Sequence, residues 1–196
     1  MSHHHDVVRL HAQSVELFLD RVRTVPEERW SQGTPCSAWD VRELVNHVVG
    51  EDRWTAPLLD GQTIEDVGDR LDGDLLGELP VQACEAAGKE AVAAFGETGA
   101  RERTVHLSFG HTPAAEYAWQ LIADHLVHAW DLAAATGGDT RLDADLVTAV
   151  AGWYAEREDL YRQAGAVGDR PAVDAADAQD ELMVAFGRDP SWTSSH

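Results

Sequence analysis

Apolar residues recur along this chain at intervals of three and four, the signature of helices with one buried face. Val8, His11, Val15, Phe18, Val22 and Val25 keep that spacing from about Asp6 to Thr24, and Pro26 ends it. A second run carries Trp39, Val41, Leu44, Val45, Val48 and Val49 and extends to about Trp54. Ser37 reads as its N-cap, with Asp40 in the capping-box position. His47 lies on the edge of that helix's apolar face. Gly61, Gly68, Gly73, Gly77 and Pro80 then punctuate an Asp-rich stretch, which predicts an exposed loop with at most a short helical turn. An Ala-rich third helix follows from about Val81 to Thr98.

Arg103 to Phe109 alternates loosely and predicts a short extended piece without a partner strand. Thr112 as N-cap and Pro113 at the first helical position open a fourth helix, stopped after Thr136 by Gly137-Gly138. Its buried stripe reads Tyr117, Leu121, Asp124, His128, Leu132, with polar groups at two places where apolar ones are expected. A fifth helix is predicted at about Asp143 to Ala164 and a last one at about Asp174 to Phe186, closed by Gly187. Amphipathic helices with short connections predict an antiparallel bundle. The expectation is one all-α domain over residues 1–196: a four-helix core at about 6–137 and additional C-terminal helices at about 143–187.

Composition narrows the function. The formal net charge is −20, from 35 acidic and 15 basic residues, and the only lysine is Lys89. So acidic a surface repels phosphate backbones, which argues against a nucleic-acid partner. No run of about 18 apolar residues exists, so no membrane span is expected. The start has no cationic stretch followed by an apolar core, and the expected compartment is the cytoplasm. Cys36 and Cys84 form neither a disulfide framework nor a CxxC site. His3, His4, His5 and His196 sit at the termini and are set aside from site reasoning.

The informative segment is Asp124-His125-Leu126-Val127-His128. Residues four apart share a helix face, about 5–6 Å apart at Cβ, so Asp124 and His128 can grip one ion from one side. His47 is the best third ligand, and His11, also on an apolar stripe, is its rival. Two imidazoles and a carboxylate suit Zn, Ni or Fe without choosing among them, and an open coordination position marks a catalytic site. An Asp–His ion pair on a solvated face would show the same spacing. The apolar stripe tips the balance, because a buried Asp needs a partner. His125 points about 100° away and reads as a neighbour of the site. Glu51 is a further candidate that more naturally faces solvent, as His106 and His111 do. Asp131, one turn after His128, either accepts its second ring N–H or faces water.

Pro35 to Gly50, with Trp39-Asp40 and Asn46-His47, resembles the second-helix signature of the mycothiol-dependent maleylpyruvate isomerase N-terminal family, within the DinB-like superfamily of metal-binding four-helix bundles. Asp124 to Ala133 followed by Thr136-Gly137 resembles its second signature, and the ending through Phe186-Gly187-Arg188-Asp189-Pro190 is similar to a branch of the same family. The resemblance implies one metal held by His47, Asp124 and His128, with Asp124 standing where the isomerase has Glu. It implies mycothiol or a similar low-molecular-weight thiol as cofactor and an electrophilic small molecule as substrate, for S-transfer or cis–trans isomerisation. The isomerase carries a separate C-terminal domain, and the helices after residue 137 imply that it is absent here.

Three readings follow. The leading one is a metal- and thiol-dependent transferase or isomerase. The second is a non-catalytic metal-binding or regulatory protein. The third is a structural bundle with a buried Asp–His pair. A homodimer is compatible with all three.

Overall fold

The computed structural model describes residues 6–194, so His3 to His5 and His196 lie outside it. Four long helices form the core: α1 (Val7–Arg23), α2 (Val41–Leu59), α4 (Pro80–Phe95) and α5 (Ala114–Thr136). A single turn, α3 (Ile64–Val67), interrupts the Asp-rich loop, as its glycines predict. α1 and α2 each pack against both α4 and α5, so α1 faces α2 across the bundle diagonal. Segments 24–40 and 96–113 carry the chain across those diagonals, and consecutive helices are not always neighbours. α5 is buried on nearly all sides, because α1, α2, α6 and a hairpin cover it. The fold is all-α and DinB-like.

The start of α2 differs from expectation. Asp40, not Ser37, is the N-cap: its side chain accepts from the Glu43 N–H, and Glu43 accepts from the Asp40 N–H, each at 2.9 Å. The preceding backbone is committed elsewhere. Trp39 N–H donates to the Cys36 carbonyl, Val41 to Gln32 and Arg42 to Trp30. The Thr34 hydroxyl bonds the Cys36 and Trp39 carbonyls at 2.9 Å each. Those bonds fold residues 30–40 back on themselves, and a helix beginning at Ala38 would need the same groups. The far end runs past Trp54 to Leu59 despite Pro57, since Thr55, Leu58 and Leu59 are buried.

The extended piece is half of a hairpin. β1 (Thr104–Leu107) pairs antiparallel with β2 (Gly110–Pro113), Val105 opposite Thr112. Thr112 is thus a strand residue and α5 begins at Ala114. The predicted fifth helix breaks at residues 155–157 into α6 (Ala144–Tyr154) and α7 (Glu158–Gln163). α8 (Ala178–Ala185) is shorter than predicted, its N-cap Asp177 accepting from Gln179 and Asp180. No helix among the described residues is long and apolar enough to cross a membrane.

Candidate metal centre

α2 and α5 bring His47, Asp124 and His128 together, with one ligand atom of each lying within 4.8 Å of the others. His47 Nε2 is 3.4 Å from both carboxylate oxygens of Asp124, and His128 Nε2 is 3.3 Å from Oδ1. Asp124 Oδ2 is buried and accepts no hydrogen bond. The Trp39 indole, delivered by the folded-back loop, stacks on the His47 ring at 4.4 Å and leans on His128 at 5.6 Å.

The surroundings fix His128. Its Nδ1 lies 2.9 Å from Asp131 Oδ2, so Asp131 takes the inward alternative; its side chain is fully buried. Arg188, from the segment after α8, donates to the two oxygens of Asp131 at 3.1 and 2.7 Å. With Nδ1–H committed, a neutral His128 turns a bare Nε2 lone pair toward a carboxylate. Two acceptors face each other stably only if a proton or a cation lies between them. Burial alone would lower the His128 pKa, but the Asp124 carboxylate and the Asp131 hydrogen bond outweigh it and push it up to about 10. Burial likewise opposes ionisation of Asp124, yet the two imidazoles hold it well below the usual carboxylate range. The site favours positive charge at its centre, and its donor set of two imidazoles and a carboxylate fits a divalent transition metal.

Asp124 and His128 of the cluster form part of the wall of a cavity of about 780 Å³. Glu51, Tyr117 and Gln120 line it from α2 and α5; Trp153, Arg157 and Tyr161 close the opposite side. Phe109 at the hairpin tip and Leu160 on α7 are exposed apolar residues that also line it. Glu116 accepts from Arg157 at 2.7 and 3.0 Å and from the Trp153 indole at 3.2 Å, pinning that wall to α5. Glu51 does not simply face solvent: it is half-buried against the cavity, and burial, then Asp124, raise its pKa.

Other expectations are redistributed. His11 is not a rival ligand of this centre, and His125 is no mere neighbour of it. Both belong to a separate buried cluster with Asp52. His106 and His111 pair in the hairpin register with ring centroids 4.3 Å apart. Sequence reasoning missed Asp52, Arg188 and Trp39. Arg188 lies in a quoted motif, but only the return of the C-terminal segment to α5 reveals its partner. Asp52 sits five residues after His47 on α2, without a spacing that marks it.

Fold and site together define a class: a DinB-like helical bundle with a His–Asp–His cluster beside a cavity. The chain belongs to the mycothiol maleylpyruvate isomerase N-terminal domain family, whose model matches residues 11–133. Two uncharacterised proteins of Mycobacterium tuberculosis, MT0763 and Rv0738, are each 32% identical over 145 residues, 72% of this chain and 73% of theirs. The crystal structure of the mycothiol-dependent maleylpyruvate isomerase shares the fold, with a TM-score of 0.64 and 16% identity. That match spans 97% of this chain and 91% of the isomerase chain. With 97% of this chain covered, the match takes in α6 to α8 as well as the four-helix core.

Proposed function

We propose that the chain is a metal- and thiol-dependent transferase or isomerase acting on a small electrophile. The observation that carries this reading is the Asp124 carboxylate on the wall of a cavity, its Oδ1 facing two imidazoles and its buried Oδ2 without a hydrogen bond. His47, Asp124 and His128 would hold a divalent cation such as Zn, Ni or Fe. Bound there, the cation would supply a lowered pKa for a thiol sulfur, giving a thiolate near neutral pH. The family name points to mycothiol or a thiol like it.

The chain's own residues supply the rest. Asp131 holds His128 in the tautomer whose Nε2 is free, and Arg188 holds Asp131. Trp39 stacks on one face of the His47 ring and would hold its plane. Glu51, whose pKa burial and then Asp124 raise, lines the cavity, where it would exchange a proton with the reacting molecule. Phe109, Leu160, Trp153 and Tyr161 give the cavity an apolar wall suited to the carbon skeleton of a small electrophile. The described residues would act as one unit, since Arg188 from beyond α8 completes a site on α5.

The test is the visible spectrum of cobalt-loaded protein, prepared without a nickel column. Addition of mycothiol or a simpler thiol should produce a sulfur-to-metal charge-transfer band in the wild type. His47→Ala and Asp124→Ala should lack it. A thiol that leaves the wild-type spectrum unchanged removes the mechanism. The non-catalytic alternative predicts the thiol band without thiol-dependent turnover of any electrophile.

A further inference from the structure

The bundle interior holds a second cluster that the proposed reaction does not use. His11 on α1, Asp52 on α2 and His125 on α5 each offer one ligand atom, and these atoms lie within 4.8 Å of one another. All three residues are sealed from solvent, at 0%, 1% and 1% exposure. His125 Nδ1 lies 2.6 Å from the Leu121 carbonyl, one turn back, and its Nε2 lies 3.1 Å from Asp52 Oδ1. With its Nδ1–H given to Leu121, a neutral His125 turns a lone pair toward a carboxylate. The arrangement seen at His128 thus recurs at His125, with the carboxylate supplied by α2 in place of α5.

His11 is the unexplained member. Both its ring nitrogens are buried and neither has a hydrogen-bond partner. Burial, reinforced by His125, pushes its pKa down to about 3, so the ring stays neutral and keeps a lone pair to donate. Its ring is 4.8 Å from Phe95 and 5.8 Å from His125, centroid to centroid. α4 approaches through Gly88, where a Cβ would meet Val15 Cγ1 at 2.6 Å and Asp52 Oδ2 at 3.5 Å. A glycine is required there by the close approach of the helices around the cluster.

We propose that His11, Asp52 and His125 form a second, solvent-sealed divalent-cation site with a structural role, suited to zinc with both Asp52 oxygens making up four ligand atoms. Ligands about 2.0–2.1 Å from a tetrahedral zinc lie roughly 3.3 Å apart, close to the spacing of His125 Nε2 and Asp52. A cation accounts for the free His11 nitrogen, which a His125–Asp52 ion pair alone leaves unused. Enclosure distinguishes this site from the first, which opens to a cavity. Its function follows from the topology. α1 and α2 stand across the diagonal with little direct packing, and a cation held by both, and by α5, ties three helices at one point.

The test counts cations in full-length protein with His3, His4, His5 and His196 replaced by alanine. The protein is loaded with zinc, freed of excess by gel filtration and read by elemental analysis. Wild type should hold about two equivalents, and the Asp124→Ala/His128→Ala variant about one. Adding His11→Ala to that variant should remove the remainder. In parallel, zinc should raise the melting temperature of Asp124→Ala/His128→Ala, and Asp52→Asn, which keeps the side chain's shape, should abolish that rise. Zinc lost altogether from Asp124→Ala/His128→Ala, or no rise in its melting temperature, overturns the second site. One equivalent that survives Asp124→Ala/His128→Ala but not His11→Ala, in a wild type binding only one, would overturn the catalytic centre and leave this site standing.

Discussion

His128 gives its Nδ1–H to Asp131 at 2.9 Å, and that bond decides what the other edge of the ring can do. Nε2 is left facing Asp124 at 3.3 Å, where it competes for a proton or accepts a cation. Asp131 is therefore a positioning residue. Asp131→Ala frees the ring and strands the Arg188 guanidinium, whose side chain is only 12% exposed. Zinc affinity at the first centre should fall on the order of 10–100-fold, measured by competition with a chelator of known affinity. An affinity within about twofold of wild type would show that Asp131 does not act through the ligand.

The same geometry sets a pH dependence for metal-free protein. His128 rises from 6.5 to about 10 on folding, against Asp124 and Asp131, with His47, Glu51 and Arg188 also facing the site. A base raised in the folded state adds stability that is fully present below its unfolded pKa and lost as pH climbs through the folded one. In the presence of a chelator, the urea midpoint should fall between about pH 6.5 and pH 10. With zinc the trend should weaken, because the cation replaces the proton that high pH removes. A chelated protein whose midpoint is flat across that window would show that His128 carries no extra proton when the metal is absent.

The two ends of the folded-back loop before α2 separate two accounts of how that helix starts. Asp40→Ala removes the side-chain half of the observed capping box, the bond accepted from the Glu43 N–H, and should cost about 1 kcal/mol in denaturant unfolding. Ser37→Ala should cost little, since Ser37 is exposed and outside the helix. The reverse order of effects would restore Ser37 as the cap.

How far the sequence foretold this structure depends on the range of the forces involved. α1, the far end of α5 and the Asp-rich loop were legible because three–four spacing, Gly137 and a run of glycines act locally. The His47–Asp124–His128 convergence was legible because four-residue spacing put two polar groups on the apolar stripe of α5. The start of α2 was misplaced because Thr34 and the Trp30 and Gln32 carbonyls compete for the backbone, which a window of helix signals does not weigh. β2 escaped because Gly110-His111-Thr112-Pro113 has no alternation, and only pairing with β1 defines it. Arg188 and Asp52 act on residues far away in sequence, and only the packing of distant segments brings their charges to Asp131 and His125.

The wall opposite the centre depends on Glu116. It takes two bonds from Arg157, at 2.7 and 3.0 Å, and one from the Trp153 indole, while the Arg157 guanidinium lies 5.1 Å over the Trp153 ring. Glu116→Ala removes all three bonds. The pair is about 30% exposed, so solvent screening keeps the loss modest, on the order of 1 kcal/mol by thermal unfolding. The larger effect should be on the cavity, whose α6–α7 side loses its tie to α5. Protection of the α6 and α7 amides in hydrogen exchange should fall while the rest of α5 stays protected. Uniform loss of protection would mean that Glu116 supports the whole bundle.

Gly187 controls whether Arg188 reaches the centre. Phe186 is anchored by stacking on Tyr154 at 4.0 Å, and the chain must then turn back toward α5. Gly187 makes that turn at a φ of 77°, a left-handed conformation that costs an L residue roughly 1–2 kcal/mol. A Cβ there would also lie 3.0 Å from the Gly168 carbonyl oxygen and 3.1 Å from its carbon. That carbonyl cannot easily yield, because it accepts from Arg162, which also holds the Ala185 carbonyl at 3.0 Å. Gly187→Ala should therefore shift the segment and withdraw Arg188 from Asp131. The variant should lose stability by about 2 kcal/mol and lose zinc affinity in the same direction as Arg188→Ala. The double variant tests whether the two act through one contact: its affinity should match Arg188→Ala alone. Losses that add would show that Gly187 serves the fold by another route.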